Sequence, residues 1–185
     1  MEDNTAKKKE KSTFKTEIYD WIQCLVTALV ACILIFMFVG QVIGVEGHSM
    51  VPTLQDQDKL IISNLFYTPK KGDVVVLTKR AFKDVPIVKR VIATEGQTVD
   101  IDFDEGKVWV DGVLQEEEYV NSPTNRFYDL TFPLTVDEGC GFVMGDNRNE
   151  STDSRYSVIG CVDTRCILGR AYAVILPFSR LGTVS

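Results

Sequence analysis

Charge is missing from one long stretch of this 185-residue chain. From Trp21 to Val45 there is no Asp, Glu, Lys or Arg, a run of 25 residues. A helix rises about 1.5 Å per residue, so about 20 residues cross a hydrocarbon layer roughly 30 Å thick. The run is long enough to span a bilayer. It has no polar face, which argues against a buried helix of a soluble domain. Its exit, "FVGQVIGVEG", lacks the Ala-x-Ala-like spacing of a cleaved secretory leader. The expectation is a retained transmembrane anchor over residues 18–40, after a basic tail of residues 1–17 and before an outer domain of residues 41–185. Lys7, Lys8, Lys9, Lys11 and Lys15 place the tail in the cytoplasm and the domain on the far side of the plasma membrane.

Histidine is also scarce, and His48 is the only one. With a lone histidine and no C-x-x-C pair, a zinc site is not expected. Basic charge is in deficit, the formal net charge being −6, so nucleic acid is excluded as a partner. Of the five cysteines, Cys24 and Cys32 fall in the anchor, packing against lipid or a neighbouring helix. Cys140, Cys161 and Cys166 lie beyond it; three allow at most one bridge among themselves, and Cys161 with Cys166 is permitted by spacing. Internal repeats and low-complexity tracts are absent.

Beyond residue 41 the sequence shows no amphipathic helix. What it shows is period two. Residues 73–79, 85–94, 97–102, 107–110, 141–145 and 170–176 read as strands. Asp111-Gly112, between "KVWV" and "VLQEE", is a two-residue hairpin signal, because type I′ turns require positive φ at both positions. The fold class is mainly β, an antiparallel sheet or barrel-like domain following one N-terminal transmembrane helix. The acidic patch Glu116 to Glu118 reads as a solvated loop or strand end without chemistry.

The stretch "VEGHSMVPTL", residues 45–54, raises a chemical question. Ser49 would need a base to act as nucleophile, and the one imidazole is its immediate neighbour. In an extended segment, adjacent side chains point to opposite faces, so His48 turns away from Ser49. A Ser-His-Asp triad within the chain is therefore excluded. A lysine can serve instead once burial in apolar surroundings lowers its pKa. Lys89 in "VPIVKRVIA" is the lysine so placed, sharing a strand face with Ile87 and Val91. The other reading of Lys89 is an ordinary strand lysine, paired with a carboxylate or reaching out to water.

Four blocks then stand in order: "GHSMVPTL" (47–54), "KKGDVVVL" (70–77), "VKRVIATEGQTV" (88–99) and "GDNRNESTDSR" (145–155). Together, behind a single anchor, they resemble the bacterial type I signal peptidases in their short single-span form, across essentially the whole chain. The resemblance implies a membrane-bound serine endopeptidase that removes signal peptides from exported preproteins through a Ser/Lys dyad and an acyl-enzyme. It makes Ser49 the nucleophile and Lys89 the general base. Ser151 would hydrogen-bond the lysine amine, Asp153 and Arg155 would brace the site, and Asp146 would pair with Arg90. It implies no cofactor, and as partners the signal peptides of secretory preproteins, the lipid bilayer and a nearby secretion translocon. Gly47 departs from members with a hydroxyl residue there, so the oxyanion hole rests on the Ser49 N–H and another donor. Residues 146–155 do not form a calcium loop, because Arg148 stands where the third-position oxygen ligand belongs. Self-cleaving Ser/Lys repressors are the nearest chemical rivals, but they carry a soluble DNA-binding domain in place of a span. A membrane-anchored binding module with a decayed site is the rival from another class, and retention of both Ser49 and Lys89 speaks against it.

Overall fold

The computed structural model describes residues 3–38, 40–78 and 86–184, with side chains for 16–34, 40–78 and 86–184. Lys79 and Val85, at the ends of two expected strands, lie outside the described residues, as do Met1, Glu2, Val39, Ser185 and the side chains of the tail lysines. The chain divides into two compact units, Met1–Val39 and Gly40–Ser185.

The first unit is one helix, α1 (Asp3–Phe38). Its stretch Thr16–Leu34 is long and apolar enough to cross a membrane, and large side chains such as Trp21, Leu25 and Leu29 are exposed along it. The uncharged run outlasts this helix. Gln41–Gly44 is strand β1, and Val45 is buried in the core of the second unit. Hydropathy alone does not separate span from strand here; the break falls at Gly40, before the ladder begins.

The second unit contains two antiparallel sheets. The larger sheet is built from β1, β2 (Lys59–Ser63), β3 (Val74–Leu77) and β4 (Ile87–Thr94). The smaller comprises β5 (Thr98–Asp102), β6 (Lys107–Val110), β7 (Val113–Leu114) and β8 (Leu134–Thr135). The chain then returns to the larger sheet with β9 (Cys140–Met144), β10 (Val162–Asp163), β11 (Ile167–Leu176) and β12 (Gly182–Thr183). The larger sheet runs β1-β2-β11-β3-β4-β9-β10, with β12 also on β11, and the smaller runs β7-β6-β5-β8. Among the described residues no α-helix occurs outside α1. The Asp111-Gly112 turn has φ of 52° and 76°, and Val110 faces Val113 across it, the geometry a type I′ hairpin demands.

Strand β4 lies between β3 and β9, and its six residues from Val88 to Ala93 are all buried. Both faces are covered. Val74, Val76 and Val88 join a cluster with Met50, Leu54 and Leu60. Val75, Leu77 and Val91 join another with Val143 and Ile159. Ile92 and Met144 pack with Val99 and Phe142 beneath the smaller sheet. At about 1.5–3 kcal/mol per buried aliphatic side chain, this packing can carry the cost of two charged residues set in the middle of the strand.

Candidate active site

Ser49 sits in the turn that follows β1. Gly47 has φ of +86°, a conformation that glycine adopts without steric cost, and its N–H donates to Asp56 Oδ1 at 2.8 Å. That bond is the main reason the Asp56 carboxyl is held below its ordinary range. Met50 and Leu54 are fully buried, and the Leu54 N–H closes on the Met50 carbonyl at 2.9 Å. The turn is thus pinned on both sides of a partly exposed Ser49, while His48 faces solvent.

Lys89 reaches this turn from β4. Its Nζ lies 2.7 Å from Ser49 Oγ. The side chain is 3% exposed, opposite Val75 in the ladder. Burial lowers its pKa to about 8, outweighing the carboxylates of Asp153 and Asp146, which favour the charged form. At pH 7 such an amine is neutral in roughly one molecule in ten, several hundred times the fraction of a free lysine. A lone pair is therefore available within hydrogen-bond reach of a hydroxyl.

The segment after β9 closes the other side. The Asn147 N–H donates to the Ser49 carbonyl at 3.0 Å, and Asn147 Nδ2 donates to the His48 carbonyl at 3.1 Å. Gly145 lies so near that a methyl group there would run into both the Ser151 side chain and the Ser49 carbonyl oxygen. The Ser49 N–H itself has no acceptor among the described residues. Gly47 offers no side-chain donor beside it.

Two buried ion pairs frame the dyad. Arg90 forks onto Asp146, Nε to Oδ1 and Nη2 to Oδ2, both at 2.8 Å. Thr53 Oγ1 donates to Asp146 Oδ2 at 2.6 Å, and Arg90 Nη1 donates to the Gly72 carbonyl at 2.9 Å. Arg155 forks onto Asp153 at 2.8 and 2.9 Å, and Asp153 Oδ2 also accepts the Gly145 N–H at 3.0 Å. Bidentate geometry of this kind fixes direction as well as distance. Ser151 is buried in the same place, but its Oγ has no hydrogen-bond partner among the described residues. The bond to the Lys89 amine expected of it is not made in this structure, in which the amine is engaged by Ser49 instead.

Sequence reasoning missed a third buried arginine. Arg148 is fully buried and forks onto Glu117 at 2.7 and 2.5 Å, with Thr124 Oγ1 2.8 Å away. Glu117 is therefore not the chemically idle member of a solvated patch. Tyr119 lies under the Arg90 guanidinium, 3.9 Å from ring centre to Cζ, and Tyr128 donates its hydroxyl to the Ser151 carbonyl at 2.6 Å. No short motif marks these partners; a glutamate two residues before a tyrosine, in an otherwise acidic run, was the only hint. No disulfide joins Cys140, Cys161 and Cys166 among the described residues. Among the described residues no group of His, Cys, Asp and Glu is arranged to hold a metal.

A hydroxyl, a buried amine and an unoccupied backbone donor can together perform acyl transfer. Residues 18–176 match the family model described as signal peptidase, peptidase S26. The chain is 34% identical to a probable signal peptidase I-2 of Synechocystis, covering 98% of this chain and 83% of that protein. It is 33% identical to the signal peptidase I of Bacillus licheniformis, covering 93% and 96%. Signal peptidase I S of Bacillus subtilis is 32% identical, with 94% and 97% covered. A solved signal peptidase I from Enterococcus faecalis aligns with a TM-score of 0.46 at 30% identity, over 56% of this chain and 97% of that one.

Proposed function

Because the chain belongs to the signal peptidase I family of S26 serine peptidases, we propose that it removes N-terminal signal peptides from exported preproteins, using Ser49 as nucleophile and Lys89 as general base. The observation that carries this reading is the 2.7 Å separation of a buried lysine amine and a serine hydroxyl.

The substrate segment before the cleavage site binds extended, its backbone pairing with a strand edge. Shallow pockets accept small side chains one and three residues before the scissile bond. Neutral Lys89 takes the Ser49 proton as Oγ attacks the carbonyl carbon. The Ser49 N–H donates to the resulting oxyanion, a contribution of about 3–4 kcal/mol for a well-placed donor. The tetrahedral adduct collapses by breaking the peptide C–N bond, and the lysine ammonium gives its proton to the departing amine. The mature protein leaves with a new N-terminus, and the signal peptide remains as an ester on Ser49. Water, deprotonated by the same amine, attacks that ester. The signal peptide is released as a carboxylate and Ser49 recovers its proton. Arg90–Asp146 and Arg155–Asp153 hold the surrounding backbone so that this geometry is built before substrate arrives.

α1 anchors the enzyme, with the basic tail of residues 1–17 in the cytoplasm, residues 18–40 as the span and residues 41–185 outside. Eleven positions separate Phe38 from Ser49, a reach of at most about 3.5 Å each. The nucleophile is thereby tethered close to the outer bilayer surface, where the cleavage site of a membrane-inserted signal peptide emerges beside the translocon. Tethering both partners to one surface raises their effective concentration.

The test is to incubate the purified full-length protein in detergent with a labelled preprotein and to sequence the N-terminus of the product. The expected result is one new N-terminus at the end of the signal peptide. Ser49→Ala should give none.

A further inference from the structure

The segment between β7 and β8 leaves the smaller sheet and touches the dyad's surroundings at several places. Arg126 Nη1 donates to the Asn149 carbonyl at 3.0 Å, Asn149 Nδ2 donates to the Pro123 carbonyl at 3.0 Å, and Tyr128 reaches the Ser151 carbonyl. Among the described residues, its only ion pair with this block is Glu117 on Arg148. The Glu117 side chain is 12% exposed against 0% for Arg148, so the pair is nearly removed from water.

Arg148 passes that contact inward. While Nη1 and Nη2 hold Glu117, Nε donates to the Gly145 carbonyl at 3.1 Å. The Gly145 N–H is held by Asp153. Both polar groups of this one peptide residue are thus fixed by buried charged side chains, and Gly145 is the residue wedged against Ser49 and Ser151. Pinning the guanidinium from outside fixes where the Gly145 carbonyl lies, and with it the spacing of the two serines. Tyr119, two residues on, donates to Glu117 Oε1 at 3.1 Å and covers Arg90, so the same short segment braces both arginines.

We propose that Glu117 is a positioning residue for the cleavage reaction, setting the Ser49 and Ser151 geometry through Arg148 and Gly145. The inference rests on the dyad reading given above. Glu117 touches neither substrate nor the reacting atoms, and its effect is on turnover, not on affinity. It also has an electrostatic consequence. Lys89 is faced by the carboxylates of Asp153 and Asp146 and by the Arg155 guanidinium, which opposes its protonation. Arg90 and Arg148 are each matched by a carboxylate, and Asp153, which acts on Lys89, acts on Arg148 as well. Removing the Glu117 charge leaves Arg148 unmatched, so a further positive charge disfavours the lysine ammonium.

The experiment compares wild type, Ser49→Ala, Glu117→Gln and Glu117→Asp as full-length proteins in detergent, measuring kcat, KM and the acid limb of kcat/KM with one labelled preprotein. Glu117→Gln should lose about ten- to a hundredfold in kcat with KM within about twofold. Its acid limb should move to lower pH by about half a unit. Glu117→Asp, which keeps the charge, should keep the wild-type limb and recover part of the kcat. A Glu117→Gln enzyme with wild-type kcat and an unmoved limb overturns the proposal. So does an equal kcat loss in both variants with neither limb displaced, which marks a merely structural contact. If Glu117→Gln does not fold, Glu117→Asp decides by the split of its kinetic constants: reduced kcat at wild-type KM supports the role, and wild-type kcat, or a loss shared with a raised KM, overturns it. A wild-type protein that leaves the preprotein intact, or a Ser49→Ala protein that still cleaves it, defeats the dyad reading itself. An active wild type and a silent Ser49→Ala beside unaffected Glu117 variants defeat only the role of Glu117.

Discussion

Lys89 and Arg90 are consecutive residues of β4, both buried, and their surroundings differ in one decisive respect. Arg90 is forked by Asp146; Lys89 has no ion-pair partner among the described residues and ends at a hydroxyl. Successive strand residues face opposite sides of a sheet, so the guanidinium takes the Asp146 fork while the same carboxylate acts on Lys89 only through its charge. The arginine is matched by a carboxylate and holds structure. The lysine is left where its charge is costly, and an amine that gives up its proton readily can take one from Ser49.

That cost can be measured. The displacement of the Lys89 pKa from 10.5 to about 8 corresponds to about 3 kcal/mol, as an upper bound. The amine's folded pKa is depressed below its unfolded value, so at pH 7 it is protonated in both states and the burial cost is fully present; the cost fades as pH rises from 8 towards 10.5. Lys89→Met should abolish preprotein processing and raise unfolding stability at pH 7 by about 1–3 kcal/mol in denaturant titrations. Equal or lower stability in the methionine variant would contradict the desolvation argument.

His48 adjoins the nucleophile in sequence but faces solvent, and no proton path through it is required. His48→Ala should retain kcat/KM within about threefold of wild type, a difference below 1 kcal/mol in transition-state binding. A loss of about a thousandfold would show that the imidazole, and not the amine, is the base.

The Arg90–Asp146 pair should behave as a buried one. Arg90→Ala strands the Asp146 carboxylate away from water and should cost about 3–5 kcal/mol of stability. Breaking the Lys107–Glu105 pair, whose side chains are 48% and 59% exposed, should cost about 0–1 kcal/mol. Thermal unfolding of the two variants side by side checks this; similar shifts would mean the buried fork contributes no more than a surface contact.

Much of the fold is legible in local pattern. Strands β3, β4, β5, β6, β9 and β11 fall where alternation or unbroken apolar runs place them, and Asp111-Gly112 turns as its residue types require. β1 is hidden because "QVIG" continues an uncharged run whose earlier part is helical. β2 carries a readable alternation, Leu60 and Ile62 inward against exposed Lys59 and Ile61, but over only five residues. β8, β10 and β12 are two residues each, too short for any period. At the site, the apolar neighbours of Lys89 can be read from its own strand. The partners of Arg148 cannot, since Glu117 lies 31 positions away in a segment whose composition suggests only solvent. Hydrogen bonds between distant loops leave no periodic trace, and the bond expected between Ser151 and the amine shows that a shared location does not fix which hydroxyl an amine chooses.

The most direct test of the neutral-amine mechanism is the pH dependence of kcat/KM for one labelled preprotein, cleaved by the full-length enzyme in detergent. A lysine with a pKa of about 8 predicts activity that falls tenfold per pH unit below that value and levels off above it. A rate that stays flat down to about pH 5 would contradict the assignment of Lys89 as the base.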